Sequence, residues 1–152
     1  MSECAFVGNS VETELAEHGV YASVTRGASM RPLFKTNRDV IIVRTPSAPL
    51  VKYDVALYRT PSGKYVLHRV VGVRDGVYLI RGDNTFVLER VPHESVIGVL
   101  TEFNRKGKKH SVTEASYRLY SRLWNFIYPV RLLYHKTFCL AYAVYRRIFK
   151  RK

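Results

Sequence analysis

Apolar and polar positions alternate in short runs along the first two thirds of the chain, and the period then changes. In "VYASVT", Val20, Ala22 and Val24 alternate with Tyr21, Ser23 and Thr25, the two-residue period of a strand. "DVIIVRT" is a β-branched run and reads as a buried strand. The Pro-punctuated "TPSAPL" is a loop. "KYDVALYRT" and "YVLHRVVGV" read as strands joined by the turn "PSGK". Asp75-Gly76 then signals a hairpin into "VYLIRG", and "SVIGVLTEF" reads as a last strand. Ahead of them all, "NSVETELAEHG" predicts a short helix, capped by Asn9 or Ser10 and ended by Gly19. Many short strands with little helix between them predict a mainly β fold, barrel-like or sandwich.

After Phe103 the pattern turns helical. "NRKGKKH" reads as a basic linker and "SVTE" (residues 111–114) as a capping box. Tyr117, Tyr120, Trp124 and Ile127 then recur at helical spacing, with Arg118, Arg122 and Asn125 on another face. Pro129 should break or kink the helix. A second helix would carry Val130, Leu133, Thr137, Ala141, Val144 and Ile148 on one side, and Arg131, His135 and Arg146 on the other.

Charge sharpens this division. The 152-residue chain carries a net +13, but residues 1–104 hold 12 Lys/Arg against 11 Asp/Glu. Residues 105–152 hold 13 Lys/Arg against one acid, Glu114. A neutral β body at 1–104 followed by a basic amphipathic helical tail at 105–152 is therefore expected, the tail facing an anionic partner. With 47% apolar residues the chain is globular rather than disordered. Cys4 and Cys139 lie too far apart for a disulfide framework or a metal pattern. No cofactor is expected. The first residues lack a basic n-region and an apolar core, so no secretory signal is expected, and no uninterrupted apolar run reaches membrane-spanning length.

The candidate chemistry lies in three short stretches. In "TRGASMRPLF", Ser29 sits in a turn. A serine hydroxyl becomes a competent nucleophile only beside a positioned base, which itself needs an orienting group. "GKYVLHRVV" offers His68, whose imidazole titrates near neutrality, and Lys64 two strand periods earlier as an alternative base. "IRGDNT" places Asp83 at the end of a strand, where a carboxylate could hold the imidazole.

Taken in order, "GASMRP", "NRDVIIV", "KYDVALYR", "VLHRVVGV" and "IRGDN" resemble the box series of type I signal peptidases, and the wider clan that includes LexA-like self-cleaving repressors. The resemblance spans residues 20–100. It implies a mostly β serine peptidase with Ser29 as nucleophile, His68 as general base in the place where most bacterial members carry lysine, and Asp83 supporting the base. Three departures stand out. Asn37-Arg38-Asp39 replaces the usual Gly-Asp, and Gly27 replaces a residue that supplies an oxyanion hydroxyl in some members, which leaves backbone N–H groups such as that of Ser29 for the role. The N-terminal anchor of true signal peptidases has no counterpart, so the short, anchor-less bacterial relatives are the better match.

The expected function is a serine endopeptidase acting on a peptide or protein. Alternatives are a non-catalytic peptide- or membrane-binding module on the same fold, and a LexA-like regulator, disfavoured because too little chain precedes the first strand for a helix-turn-helix. Interleaved aromatic and basic residues in the tail favour an anionic membrane surface. Helices packed on the body come next, and nucleic acid is least favoured. A cytoplasmic protein, peripheral at the inner membrane face, is the expected location.

Overall fold

The computed structural model describes residues 10–149. Cys4 and the proposed cap Asn9 lie outside them. Helix α1 (Ser10–His18) leads into β1 (Val20–Val24), β2 (Val40–Arg44), β3 (Val55–Arg59), β4 (Tyr65–Arg74), β5 (Val77–Arg81), β6 (Glu89–Pro92), β7 (Val96–Arg105) and β8 (Lys108–Ser111). Helices α2 (Ala115–Phe126) and α3 (Tyr128–Phe149) end the chain. The protein is mainly β. All strand pairings are antiparallel, in the order β1-β2-β7-β3-β4-β5-β6, with β8 on β7.

Two ten-residue strands organise this sheet. The first half of β4 pairs with β3 and its second half with β5. Strand β7 pairs with β3 through Val96–Val99 and with β8 further along. Register shifts at Ile42/Val43, Leu57/Tyr58 and Val70/Gly72 bend the strands there. The sheet consequently has a core on each side. Val55, Leu57 and Leu67 enter one core with Met30, Phe34, Ile41 and Phe103. Ala56, Tyr58, Val66 and Val70 enter the other with Tyr78, Ile80 and Val91. Residues 65–70 are buried on both faces, which is why "YVLHRV" lacks a polar alternation apart from His68 and Arg69.

The region after Phe103 differs from expectation in its linker and in its capping pair. "NRKGKKH" is not a linker but the β7–β8 hairpin, turning at Lys106 (φ 53) and Gly107 (φ 79). Left-handed backbone at both positions matches the twist of the flanking strands. The expected boundary between residues 104 and 105 therefore falls inside β7. The Ser111–Glu114 pair does interact, Ser111 N–H donating to Glu114, but it closes the turn before α2, whose N-cap is Glu114 itself. Pro129 sits in the first turn of α3, where its missing N–H costs nothing.

Helix α2 is docked on the body. Tyr117 and Ser121 are buried, and Tyr120 and Trp124 continue that face at i+3/i+4 spacing. On α3 Tyr128, Arg131 and Leu132 near its start are half-buried, and the apolar side predicted from Val130, Leu133 and Val144 is exposed. The basic side reaches the body instead, through Arg131. Among the described residues no helix is long and apolar enough to cross a membrane.

Candidate functional site

The loop between β1 and β2 carries Ser29. It is tied at its base, where Thr25 N–H donates to the Asp39 carbonyl and Lys35 N–H to the Asp39 carboxylate. Burial pushes the Asp39 carboxyl up, but hydrogen bonds from Arg38 and Lys35 outweigh it and leave it below the usual range. Met30 packs into the core beneath, and Phe34 N–H donates to its carbonyl, which closes residues 30–34 into a hydrogen-bonded turn around the cis Arg31–Pro32 bond. Ser29 itself is buried.

His68 stands on β4 opposite Ala56, on the face of Val66 and Val70. Strand parity explains its partners. Tyr58, two residues from Ala56 on β3, points to the same side and places its hydroxyl 3.2 Å from Nδ1. Glu89, two residues before the core residue Val91 on β6, also faces that side, its Oε1 3.0 Å from Nδ1. Tyr58 donates its one hydroxyl proton to Glu89 Oε2 at 2.7 Å. Toward Nδ1 both Tyr58 and Glu89 can then only accept, so Nδ1 carries the proton. In the neutral ring Nε2 is left with its lone pair, and it is buried without a hydrogen-bond partner.

That nitrogen faces the serine loop across Gly82. A Cβ on Gly82 would lie 2.8 Å from the Ser29 carbonyl oxygen and 3.0 Å from His68 Nε2. Any side chain at 82 would drive the two apart, so glycine is required here for close approach. The next residues lock the loops together. Asn84 N–H donates to the Ser29 carbonyl at 2.6 Å, and its side-chain amide to the Ala28 carbonyl.

The structure thus brings Ser29, His68 and the Gly82–Asn84 loop together, but it does not put Asp83 on the imidazole. Asp83 lies two residues beyond Arg81, which pairs with Arg69, so it falls on the Arg69 face of the sheet, opposite His68. Its carboxylate takes both arms of the Arg69 guanidinium at 2.8 Å and accepts from Tyr120 at 3.0 Å. Arg69, fully buried, also donates to the Tyr53 carbonyl, Tyr117 and Ser121. Burial pulls the Arg69 guanidinium down, but the Asp83 charge more than reverses that and holds it above its usual value. Burial and Asp83 likewise push the Tyr120 phenol up. The Asp83 carbonyl accepts from Trp124 Nε1 at 2.8 Å and Arg131 at 2.7 Å. Asp83 is thus the peg on which both C-terminal helices hang. Lys64 is exposed in the turn before β4. Four residues, about 13 Å along an extended chain, separate it from His68.

The carboxylate on the His68 imidazole is therefore Glu89, on a strand that the hydrophobic pattern did not reveal. Its hydrogen bond to His68 is the main reason the Glu89 carboxyl lies below its ordinary value of 4.5. The contact therefore stabilises the fold above pH 4.5 and is lost as pH falls through the lowered value. Glu89→Gln should turn the ring over: its amide NH₂ can donate to Nδ1 and move the proton to Nε2. Two-bond proton–nitrogen correlation spectra of His68 should show the Nδ1–H tautomer in the wild type and Nε2–H in the variant.

Among the described residues no cluster of His, Cys, Asp or Glu could hold a metal ion. No protein-family model matches the chain, and no curated protein matches it significantly.

Proposed function

We propose that the protein is a serine endopeptidase with a signal-peptidase-like, barrel-type β body, Ser29 as nucleophile and His68 as general base. The observation that carries this reading is the buried, unpartnered Nε2 of His68 beside the serine loop. Leaving a buried nitrogen unpaired costs about 1–3 kcal/mol. A binding module has no use for that cost, whereas a general base must keep a lone pair available.

Ser29 Oγ attacks a peptide carbonyl as its proton passes to His68 Nε2. Glu89 and Tyr58, both accepting at Nδ1, stabilise the imidazolium that forms. His68 gives that proton to the departing amine, and water then hydrolyses the acyl-enzyme with His68 again the base. Gly82 and Asn84 hold the two loops at contact distance, and Arg69–Asp83 holds Gly82 and Asn84. Digestion of a proteome-derived peptide library, read by mass spectrometry, tests the activity. New termini should form with wild-type protein and vanish with Ser29→Ala, and a wild type that forms none overturns the reading.

The exposed stripe of Leu133, Leu140 and Val144 on α3, flanked by Lys136 and Arg147, suits an anionic membrane surface. Each Lys or Arg near such a surface contributes about 1 kcal/mol, and apolar insertion adds a part that salt does not screen. Full-length protein should sediment with phosphatidylserine-containing liposomes, less so at high salt. Leu133→Glu with Leu140→Glu should abolish sedimentation. Indifference of the wild type to such liposomes would remove the membrane from this reading.

A further inference from the structure

Beside the serine loop lies an apolar groove of about 660 Å³. One wall is Pro32 and Phe86, from the two loops that meet at Ser29. The other is Val130, Tyr134 and Phe138 of α3, with Trp124 between the walls. We propose that this groove seats a bulky apolar stretch of the substrate next to the scissile bond, so that α3 is a specificity element of the peptidase. The inference rests on the peptidase reading above.

Three observations favour a peptide as the occupant. The first is continuity: Pro32 is three residues from Ser29, and Asn84, which also lines the groove, is bonded to the Ser29 and Ala28 carbonyls. Whatever fills the groove abuts the nucleophile loop. The second is construction. Phe86 stacks on His135 at 4.2 Å, and the Arg131 guanidinium lies 3.9 Å over the Trp124 ring while donating to the Asp83 carbonyl. Both walls are therefore fixed to the site loop, as a pocket that presents substrate in register must be. The third is division of the helix surface. Val130, Tyr134 and Phe138 recur at i, i+4 and i+8, while Leu133, Leu140 and Val144 lie about a quarter turn away. One stripe can meet a bilayer while the other faces the groove.

The chemistry that fits is a Leu, Met or Phe side chain. The cations around the groove, Arg31 and Arg131, disfavour a basic residue at the same place.

Val130→Asp and Phe138→Asp test this on the full-length protein in the absence of lipid. Both residues are more than half exposed, so the fold should tolerate either change. A small alkyl fluorophosphonate, too short to fill the groove, reads Ser29 reactivity, and the peptide library reads specificity. The wild type should prefer a bulky apolar residue at one fixed position beside the cut. Each variant should lose 10-fold or more in kcat/KM on those sequences, while fluorophosphonate labelling stays within 2-fold of wild type. An unchanged cleavage profile in both variants overturns the inference, as does a wild type that labels at Ser29 but shows no apolar preference. A change confined to oligomeric mass or vesicle binding also overturns it, assigning the groove to a second copy or to lipid. A wild type that neither labels nor cleaves fails earlier, at the peptidase reading.

Discussion

Ser29→Ala and His68→Ala should each lower kcat/KM by about 10³-fold or more, and the double variant should fall no further than the worse single one. The reason is that hydroxyl and imidazole act as one unit in the proposed mechanism. Without Nε2 to take its proton the hydroxyl is a weak nucleophile, and without the hydroxyl the base has nothing to activate. Additive losses would mean that the two residues act independently. The fold should survive Ser29→Ala, since one hydroxyl in a turn contributes little to packing. His68→Ala removes a buried ring and leaves Glu89 and Tyr58 to each other, so its stability must be checked before its rate is read. His68→Gln keeps more of the volume and should be equally slow. Steady-state kinetics on a peptide selected from the library, with thermal melts of each variant, decides the matter.

Arg69→Ala should destabilise the protein by about 3–5 kcal/mol. The change leaves the Asp83 carboxylate buried without its bidentate partner, and it strips a donor from Tyr117 and Ser121, which hold α2. Arg69→Lys should recover only part of this, because an ammonium cannot reproduce the fork on Asp83. Arg69→Met with Asp83→Leu should lose less than Arg69→Ala alone, since no unpaired charge then remains. Urea unfolding midpoints of the variants test the ordering. A loss below about 1 kcal/mol for Arg69→Ala would show that the pair is solvated and does not anchor the helices.

Much of this architecture is legible from the residues. Hydrophobic alternation locates β1 to β5 and β7 because each has a buried face, and α1 and the break at Pro129 follow from caps and proline chemistry. The missed strands β6 and β8 are four residues each and polar, "ERVP" and "KKHS", and gain their identity only by pairing with β5 and β7. The site was half legible. The motif order singles out Ser29 and His68, which the structure brings near each other, but it offers Asp83 where the structure puts Glu89 on the imidazole. Choosing between them requires the β4–β5 register: Arg69 opposite Arg81 sends Asp83 to one face, and a hairpin back to β6 brings Glu89 to the other. The tail shows the same limit. Periodicity locates both helices, yet α2 is held by a buried Arg–Asp pair whose members lie 14 residues apart, on β4 and in the turn after β5, and nothing in its own sequence reveals that partner.

The most direct test of the central claim is the rate at which a fluorophosphonate modifies Ser29. Attack by Oγ on phosphorus expels fluoride and leaves a stable adduct, and it needs the same proton transfer to His68 as peptide cleavage does. Intact-mass and peptide mapping should find one adduct, on Ser29, formed at least 100-fold more slowly in folded His68→Ala. An adduct on any other residue, no adduct at all, or an unchanged rate in His68→Ala would contradict the claim that Ser29 is activated by His68.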